Sequence, residues 1–456
     1  MSDADERRVY EADAFTLVRR RPGLIVLPGS AEQVAAIVRL CNEFDTPFVP
    51  RGAGTGLAGG ALTRDDAVMI SLNRMRAIRR IDLRNRIAEV EAGVINQRLT
   101  RAVESSGLHF APDPSSQQAC TIGGNVATNA GGPHTLKYGV TVDHVLGVEF
   151  VDSAGGLRRV GGEADEFHGP DLTGFVVGCE GTFGIVTAAI VRLTRLPEAV
   201  RTMLAVFDTL DDATHTVRDV IAAGIVPAAM EMMDHGVLTA VEAAYQVGFP
   251  QDAAAVLIIE VDGPSSGIER ATRDVLNICN ANRARTVRVA KDDAERALLW
   301  KSRKRAAGAL GRLTTSYCTQ DGVVPRSELP DLIREIGEVA VRHGLRIANL
   351  VHAGDGNIHP NIMFDERDPD EVRRALSASC EILRSCIRRG GTVTGEHGIG
   401  VEKIEFLEMQ FSPAEIGLML RVRDMLNPRR LCNPDKVFPD GKGCWEVRFP
   451  GKQAPV

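Results

Sequence analysis

The sequence predicts an α+β fold built from more than one domain, and three observations lead to this prediction. A chain of 456 residues is too long for a single hydrophobic core, so roughly two to four domains are expected. Short apolar strands follow one another up to Pro197, which marks a boundary. From about 200 to 425, longer helices separate the strands without the spacing of a Rossmann fold, which favours an α+β layer.

The first region is predicted from short apolar runs bounded by turn residues. A strand at 24–28 leads to Ser30, which begins a capping box and a helix that ends near residue 44. A second strand at 46–50 runs into a glycine-rich loop. Further strands are predicted at 68–72, 87–91, 144–152 and 184–194, and a turn joins 144–152 to 157–160 as a hairpin.

The second region carries longer elements. Helices are predicted at 211–223, 267–282, 292–310, 327–343, 370–389 and 412–426. Strands are predicted at 201–207, 255–262, 315–324, 346–352 and 358–364. The segment 427–439 is expected to return to the first region, and 440–456 to form a loose C-terminal tail.

Composition and charge argue against several classes of protein. The chain is 44% hydrophobic and 25% charged, as ordinary soluble globular proteins are. A net charge of −6 and an aromatic content of 5% argue against nucleic-acid binding. The N-terminus is charged, and the apolar runs are far shorter than the roughly 18 residues of a membrane span. We therefore expect a cytoplasmic protein that does not span a membrane and that reaches a membrane surface only through a partner.

The nine cysteines are scattered, and no two of them have Cys-x-x-Cys spacing. This pattern encodes neither a zinc knuckle nor an iron–sulfur cluster, and it is typical of reduced thiols in a cytosolic protein. If the chain transfers electrons, they must leave it for a separate acceptor.

Three glycine-rich segments indicate a ligand that carries phosphates. The first, 50–60 (PRGAGTGLAGG), follows a strand, and its glycines permit the backbone conformations in which successive N–H groups form an anion-binding nest. It is neither a Walker A loop nor the start of a Rossmann helix, and taken alone it could be a structural turn. The segments 112–132 and 178–186 add backbone donors for a long, flat bisphosphate. Polar side chains that extend the reach of the second segment are Asn125, Thr128 and Asn129.

Two histidines on a predicted hairpin form a candidate metal site. His352 precedes a glycine-rich turn and His359 follows it, and Cβ atoms of cross-strand or diagonal neighbours lie roughly 5–8 Å apart. Glu396 could complete a set of two imidazoles and one carboxylate, with one position left open for substrate. The alternative is a pair of structural histidines with hydrogen bonds of their own. We expect a divalent ion, zinc or manganese, although such donors also suit iron.

These motifs resemble those of a known flavoenzyme family. Residues 20–197 resemble the PCMH-type FAD-binding domain of the vanillyl-alcohol oxidase superfamily, and residues 20–439 resemble the FAD-linked 2-hydroxy-acid dehydrogenases. That family includes D-lactate and D-2-hydroxyglutarate dehydrogenases, and the chain is most similar to its glycolate oxidase FAD subunits. The stretches that carry the resemblance are 50–60, 123–132, 137–139, 180–184, 352–359, 395–400 and 433–434, together with 303–304, 311–312, 321–322 and 325–326.

The resemblance implies a two-subdomain FAD-binding domain at 20–197 and an α+β substrate or cap domain with an antiparallel sheet at 198–426. It implies FAD held noncovalently, because the 50–60 loop lacks the His to which some relatives attach FAD. The implied FAD-binding residues are Pro50, Arg51, Gly52, Ala53, Gly54, Thr55, Gly56, Gly59, Gly60, Pro112, Asp113, Ser115, Thr121, Gly123, Gly124, Asn125, Thr128, Asn129, Gly131, Tyr138, Gly139, Glu180, Gly181, Gly184, Ile185, Val186 and Asn433.

The resemblance also implies oxidation of a small 2-hydroxy acid, glycolate or D-lactate, to the 2-oxo acid. His397 is expected to be the base while Glu396 faces the metal, because adjacent side chains on an extended backbone point opposite ways. Arg303 is expected to clamp the substrate carboxylate, since a guanidinium offers two parallel donors. Asn361, on the same strand face as His359, is expected to make a further contact.

Two alternatives remain open. Hydroxyglutarate dehydrogenases carry a lysine for the second carboxylate near the position of Thr319, so its absence favours a monocarboxylate over a D-2-hydroxyglutarate-type reaction. The other alternative is a non-catalytic FAD-binding subunit of an oxidoreductase complex. Expected partners are the hydroxy acid and an electron acceptor such as an iron–sulfur subunit, a quinone or a cytochrome, in a hetero-oligomer or a homodimer, without nucleic acid.

Overall fold

The computed structural model describes residues 3–164 and 169–439, which form two compact units. The first unit comprises 3–132, 139–164, 169–196 and 396–439, and the second comprises 133–138 and 197–395. The tail expected at 440–456 lies outside the described residues. No α-helix in the described ranges is long and apolar enough to cross a bilayer.

Strands and helices are interspersed along both units. The strands are β1 (Leu24–Val26), β2 (Phe48–Arg51), β3 (Val68–Ser71), β4 (Ile78–Asp82), β5 (Ile87–Glu91), β6 (Leu108–His109), β7 (Val145–Asp152), β8 (Leu157–Gly161), β9 (Gly184–Arg192), β10 (Thr194–Arg195), β11 (Ala199–Phe207), β12 (Ala229–Asp234), β13 (Ala255–Gly263), β14 (Thr286–Val289), β15 (Ser316–Thr319), β16 (Gly322–Val323), β17 (Arg346–His352) and β18 (Asn357–Phe364). The α-helices are α1 (Ala4–Arg8), α2 (Ala31–Glu43), α3 (Asn96–Val103), α4 (Ile122–Thr128), α5 (Thr135–Tyr138), α6 (Leu172–Val176), α7 (Leu210–Ala222), α8 (His235–Tyr245), α9 (Ser265–Ala281), α10 (Asp293–Lys304), α11 (Ala306–Leu310), α12 (Leu329–His343), α13 (Pro369–Arg388), α14 (Ile404–Gln410) and α15 (Pro413–Leu426).

The first unit is built around two hydrophobic cores. A parallel sheet in the order β1-β3-β2 packs against α2, whose Val34 and Val38 bury themselves beside Phe48 of β2. The predicted Ser30 cap of α2 is confirmed, because the Ser30 hydroxyl accepts the backbone N–H of Gln33. The second core lies between an antiparallel sheet in the order β4-β5-β9-β7-β8 and the helices α3 and α4, through Leu99 of α3 among others.

The second unit contains one antiparallel sheet in the order β14-β11-β13-β12-β17-β18-β15, with β16 paired to β18. Glu231 of β12 pairs with His352 of β17, and His352 pairs with Asn357 of β18. Residues that are paired, or two apart on one strand, share a face. His359 and Asn361 therefore lie on the same face as Glu231 and His352. Farther along this face, apolar side chains pack against α8, α10 and α11.

The α+β prediction and the antiparallel sheet are confirmed, but several elements differ from the prediction. The predicted strand at 315–324 is two strands, since the chain breaks after Thr319, and the predicted helix at 292–310 ends at Lys304 and restarts as α11. The strand β12 and the helices α4 and α8 were not predicted. The second unit ends at Gly395 and not at residue 426, because α15 packs beside Phe183 and Phe438 of the first unit.

Candidate functional site

The first glycine loop follows β2, and its backbone N–H groups donate no hydrogen bond to the described residues. No N–H group from Gly52 to Gly60 has a hydrogen-bond acceptor among the described residues. Two turns in this loop require glycine, since φ is +73° at Gly54 and +75° at Gly59. A row of half-buried N–H groups without acceptors is costly in a folded protein unless a ligand completes it. The loop therefore fits an anionic group such as the pyrophosphate of FAD.

The second glycine segment folds as the short helix α4. The Thr121 hydroxyl caps it by accepting the N–H of Gly124. A Cβ atom at Gly52 would lie 2.6 Å from that Thr121 hydroxyl, so the first and second glycine segments are in direct contact. Gly123 is equally constrained, because its Cβ would lie 2.6 Å from the Cβ of Ala92. The predicted segments are thus brought together by the close approach that only glycine allows.

The polar side chains of the second segment bond to the protein itself. The Asn125 side chain is buried and its oxygen accepts an N–H of Asn96 at 3.0 Å. The Thr128 hydroxyl donates to the Gly124 carbonyl, and the Asn129 oxygen accepts the Val142 N–H at 2.8 Å. These three side chains therefore hold the backbone of the segment in its conformation. The backbone in turn presents its N–H groups as hydrogen-bond donors.

The third segment is organised by Glu180, which the resemblance assigned to FAD binding. Its buried carboxylate accepts the backbone N–H groups of Ile399 at 2.6 Å and Gly400 at 2.8 Å. Burial raises the pKa of Glu180, and these two N–H donors oppose that rise. Glu180 therefore fixes the turn that directly follows His397. Asn433 reinforces the arrangement, donating to the carbonyl of Glu180 at 2.6 Å and to that of Gly60 at 3.2 Å.

Four further residues of the predicted FAD set, Ile185, Val186, Asp113 and Tyr138, lie in three places. Ile185 and Val186 belong to β9 and are buried in the two cores of the first unit. Asp113 lies against the glycine pair 131–132, because a Cβ at Gly132 would stand 2.7 Å from the Asp113 backbone. Tyr138 belongs to the second unit, where its hydroxyl donates to Asp262.

The predicted hairpin brings His352 and His359 together. Their ring centroids lie 5.1 Å apart at an interplanar angle of 90°, and one nitrogen of each ring lies within 4.8 Å of the other. His352 Nδ1 lies 2.8 and 2.9 Å from the two carboxylate oxygens of Glu231. His359 Nδ1 lies 3.1 Å from the carbonyl oxygen of Gln320. Both Nδ1 atoms therefore carry the hydrogen, and each Nε2 presents the lone pair that a metal ion binds.

Arg303 lies in the same region as an ion-paired side chain. Its Nη2 lies 2.6 Å from an oxygen of Glu231, and both side chains are buried. Burial raises the pKa of Glu231, but Arg303 and His352 outweigh that effect and hold the pKa below its usual value. The Nε–H of Arg303 is also buried and has no acceptor among the described residues. The guanidinium thus keeps one donor for an acceptor that this part of the chain does not supply.

Asn361 shares this sheet face but is already engaged. Its amide nitrogen donates to the carbonyls of Ala348 at 3.1 Å and His359 at 2.8 Å, which uses both of its hydrogens. Its oxygen accepts the Thr319 hydroxyl at 2.7 Å. In this conformation Asn361 has no N–H to offer a substrate, and its role is to hold strands β15, β17 and β18 in register.

Glu396 and His397 begin the last segment of the first unit, and the Nε2 of His397 lies 3.9 Å from an oxygen of Glu396. The second unit ends one residue earlier. There, the buried carboxylate of Asp321 accepts the Thr394 hydroxyl at 2.6 Å and the Gly395 N–H at 3.0 Å. Asp321 therefore fixes the backbone from which Glu396 follows.

Sequence patterns did not reveal the roles of Glu231 and Asp321. The available signal for Glu231 was a lone carboxylate in the apolar run 229–233, where a buried charge needs partners of opposite sign. Asp321 was noted only as part of a family pattern. Its position in the break between β15 and β16 is the feature that makes it a turn anchor.

Comparisons with known proteins show the family to which the chain belongs. Residues 22–161 match the family described as FAD binding domain, and residues 196–437 match FAD linked oxidases, C-terminal domain. The chain is 42% identical to glycolate oxidase subunit GlcD of Escherichia coli over 96% of this chain and 88% of that protein. It is 31% identical to a D-lactate dehydrogenase of Anaerostipes hadrus over 92% of this chain and 90% of that protein.

Among solved structures, p-cresol methylhydroxylase with substrate bound has a TM-score of 0.81 to this chain, at 17% identity, covering 98% of this chain and 95% of that one. At this identity the likeness concerns the fold alone, and it confirms the predicted PCMH-type architecture. The family matches and the acceptor-free glycine loop agree with the predicted cofactor. The chain therefore belongs to the FAD-linked oxidases and is an FAD-dependent oxidoreductase.

Proposed function

We propose that this enzyme oxidises a small 2-hydroxy acid, glycolate or D-lactate, to the corresponding 2-oxo acid. The single observation that carries the proposal is a buried group at one face of the sheet, in which Glu231 contacts His352 and Arg303 of α10, and His359 lies beside His352. A guanidinium recognises a carboxylate, and imidazole lone pairs recognise a cation that can bind the neighbouring hydroxyl. The similar glycolate oxidase subunit and D-lactate dehydrogenase bear names that agree with this substrate class.

The glycine loop supports noncovalent FAD binding by the first unit. Its N–H groups from Gly52 to Gly60 can hold the pyrophosphate, and no histidine stands in the loop to form a covalent link. Bound there, FAD would supply the acceptor for the hydride that the substrate loses from the carbon that carries the hydroxyl.

We place a divalent metal ion on His352, His359 and Glu396. The lone pairs of the two imidazoles support this site, and the Asp321 anchor at Gly395 holds the backbone that leads into Glu396. A divalent ion there would polarise the hydroxyl of the substrate and lower its pKa. Zinc and manganese both suit two imidazoles and a carboxylate.

His397 is the proposed base for the hydroxyl proton. The turn that follows it is held by Glu180 through Ile399 and Gly400, so the imidazole is carried by a fixed backbone. A base must stay within hydrogen-bond reach of the proton that it removes, and such anchoring serves that need.

The substrate we favour has a single carboxylate. Arg303 can clamp one carboxylate through its Nε–H, but Thr319 directs its hydroxyl at Asn361 and supplies no charge for a second. This distinguishes the proposal from a D-2-hydroxyglutarate-type reaction. The electrons then pass to a separate acceptor, for which an iron–sulfur subunit, a quinone or a cytochrome are the candidates.

The test is an anaerobic reduction series on the purified yellow protein. Glycolate and D-lactate should each bleach the flavin absorbance, and D-2-hydroxyglutarate should do so much more slowly. Ethylene glycol is the matched control, because it keeps the hydroxyl of glycolate but lacks the carboxylate that Arg303 would bind. Fastest bleaching by D-2-hydroxyglutarate, or equal bleaching by ethylene glycol, would contradict the proposed substrate class.

A further inference from the structure

We propose that Glu231 is a positioning residue that holds the metal-binding histidine His352 and the carboxylate clamp Arg303 in one arrangement. This inference rests on the proposed function, because it concerns the same sheet face. One buried carboxylate sets the orientation of two groups that serve different parts of the substrate.

The geometry gives Glu231 two partners at once. Its carboxylate lies 2.8 and 2.9 Å from His352 Nδ1 and 2.6 Å from Arg303 Nη2. The Nη2 and Nδ1 atoms lie only 3.4 Å from each other. These two N–H donors would repel each other at this distance, since each carries positive charge at its hydrogen. The negative charge of the Glu231 carboxylate, which contacts both, offsets that repulsion. Glu231 is fully buried, so water does not take its place as the acceptor for these two donors.

The bond to His352 determines which nitrogen of that ring carries the hydrogen. A carboxylate accepts, so Nδ1 must donate, and Nε2 is left as the lone-pair nitrogen. A carboxylate behind a metal-bound histidine also fixes the orientation of the ring and raises its basicity. The strand register keeps this contact in place, because Glu231 and His352 are direct cross-strand partners.

The bond to Arg303 determines which edge of the guanidinium remains available. Nη2 is engaged by Glu231, while the buried Nε–H has no acceptor among the described residues. A buried donor without an acceptor is costly, so it marks the position where the carboxylate of a ligand would bind. Without Glu231, nothing in this contact would hold the long arginine side chain in a single orientation.

The test compares Glu231→Gln with a matched control, Glu335→Gln. The amide keeps the size of Glu231 but removes its charge and presents an N–H group to Arg303 or His352. Glu335 is also a carboxylate paired with arginine, since its oxygens accept from Arg389 and Arg388 on the α12–α13 side of the unit. Metal content after dialysis against zinc or manganese buffers is measured by elemental analysis, and the KM for glycolate by dye reduction.

In Glu231→Gln we expect metal affinity to fall by roughly 10- to 100-fold and the KM to rise by about tenfold, as expected for a loss near 1.4 kcal/mol. FAD absorbance should be retained. Glu335→Gln should leave both quantities at the wild-type values. If only one of the two quantities changes in Glu231→Gln, or neither does, the coupling is overturned.

Two further arms keep the test decisive. If Glu231→Gln does not fold, Glu231→Asp is used, which keeps the charge but draws the carboxylate back by one methylene. Weaker binding of both metal and substrate supports the coupling, and wild-type values for either overturn it. A wild-type protein that no hydroxy acid bleaches would defeat the proposed function alone. Metal retention is measured without substrate, so unchanged metal retention in Glu231→Gln would still overturn the coupling, and its loss would support the contact of Glu231 with His352.

Discussion

At the residue scale, His397 is the side chain whose removal should slow catalysis without unfolding the protein. The turn after it is held by backbone contacts to Glu180, which do not involve the imidazole. We therefore expect His397→Ala to remain folded and yellow while the rate of flavin reduction by substrate falls roughly 10²- to 10⁴-fold, the usual contribution of a general base. Stopped-flow absorbance measures this rate. His343→Ala, which removes a histidine paired with Glu381, is the control. Near-normal reduction by His397→Ala would rule out its role as the base.

Substitution of the two hairpin histidines should remove bound metal, a different effect from that expected at His397. Removing the imidazole of either His352 or His359 deletes one of two lone-pair nitrogens on the same sheet face. His352→Ala and His359→Ala should therefore lose bound metal and activity while retaining FAD, for which we propose the glycine loop of the other unit. Elemental analysis gives the metal content. His235→Ala is the matched control, because its Nδ1 also contacts a backbone carbonyl, that of Ala253. Active wild-type protein without metal would refute the site.

The site residues differ in how far sequence could predict them. His352 and His359 are separated by one turn, so local spacing alone indicated that they meet, and the hairpin confirms it. Glu231 is 121 residues away from His352 in sequence, and only the sheet order joins them. Asn361 was placed on the correct face, but its amide is used by the backbone of the same sheet. Facing a site and being available to a ligand are separate properties, and periodicity reports only the first.

At the element scale, prediction succeeded where pattern and propensity agreed. The alternating runs of β17 and β18 and the capped helix α2 were found within a few residues of their bounds. The strand β12 was missed because methionine and glutamate have weak strand preference, and its pairing on both edges overrides that preference. The helix α4 was taken for a loop because two of its seven residues are glycine.

The first glycine loop offers a test of cofactor binding that spares the fold. A Cβ added at Gly56 would meet no protein atom within 4 Å, and its φ is not in the left-handed region. Gly56→Val should therefore leave the unfolding temperature of the FAD-free protein nearly unchanged but place a side chain at the proposed FAD site. We expect FAD affinity to fall by roughly 1–3 kcal/mol, or about 5- to 150-fold. Gly337→Val, at an exposed glycine of α12 with equal space, is the control. Unchanged FAD affinity in the Gly56 variant, measured by flavin fluorescence, would contradict the placement.

At the scale of the whole molecule, the described part of the chain passes between the two units four times. The sequence indicated the passage near residue 197, set the last passage at residue 426 although it lies at 395–396, and missed the excursion at 133–138. That excursion is held in the second unit by polar contacts of His134 and Lys137 to Glu260 and Asp262 of β13. Six residues are too few to show a change of composition, so no periodicity reveals such a passage.

The cysteine pattern of the whole chain bears on which acceptor takes the electrons from reduced FAD. No two of the nine cysteines have Cys-x-x-Cys spacing, and we propose that the electrons of reduced FAD pass to an acceptor outside this chain. We expect slow reaction with oxygen and fast turnover with an artificial dye when glycolate or D-lactate is supplied. Parallel assays of peroxide release and dye reduction in air measure the two routes, and the flavin-retaining variant His397→Ala controls for reduction that does not depend on catalysis. Rapid, stoichiometric peroxide release without added acceptor would show instead that the chain is a self-sufficient oxidase, and the expectation of an iron–sulfur, quinone or cytochrome partner would then fail.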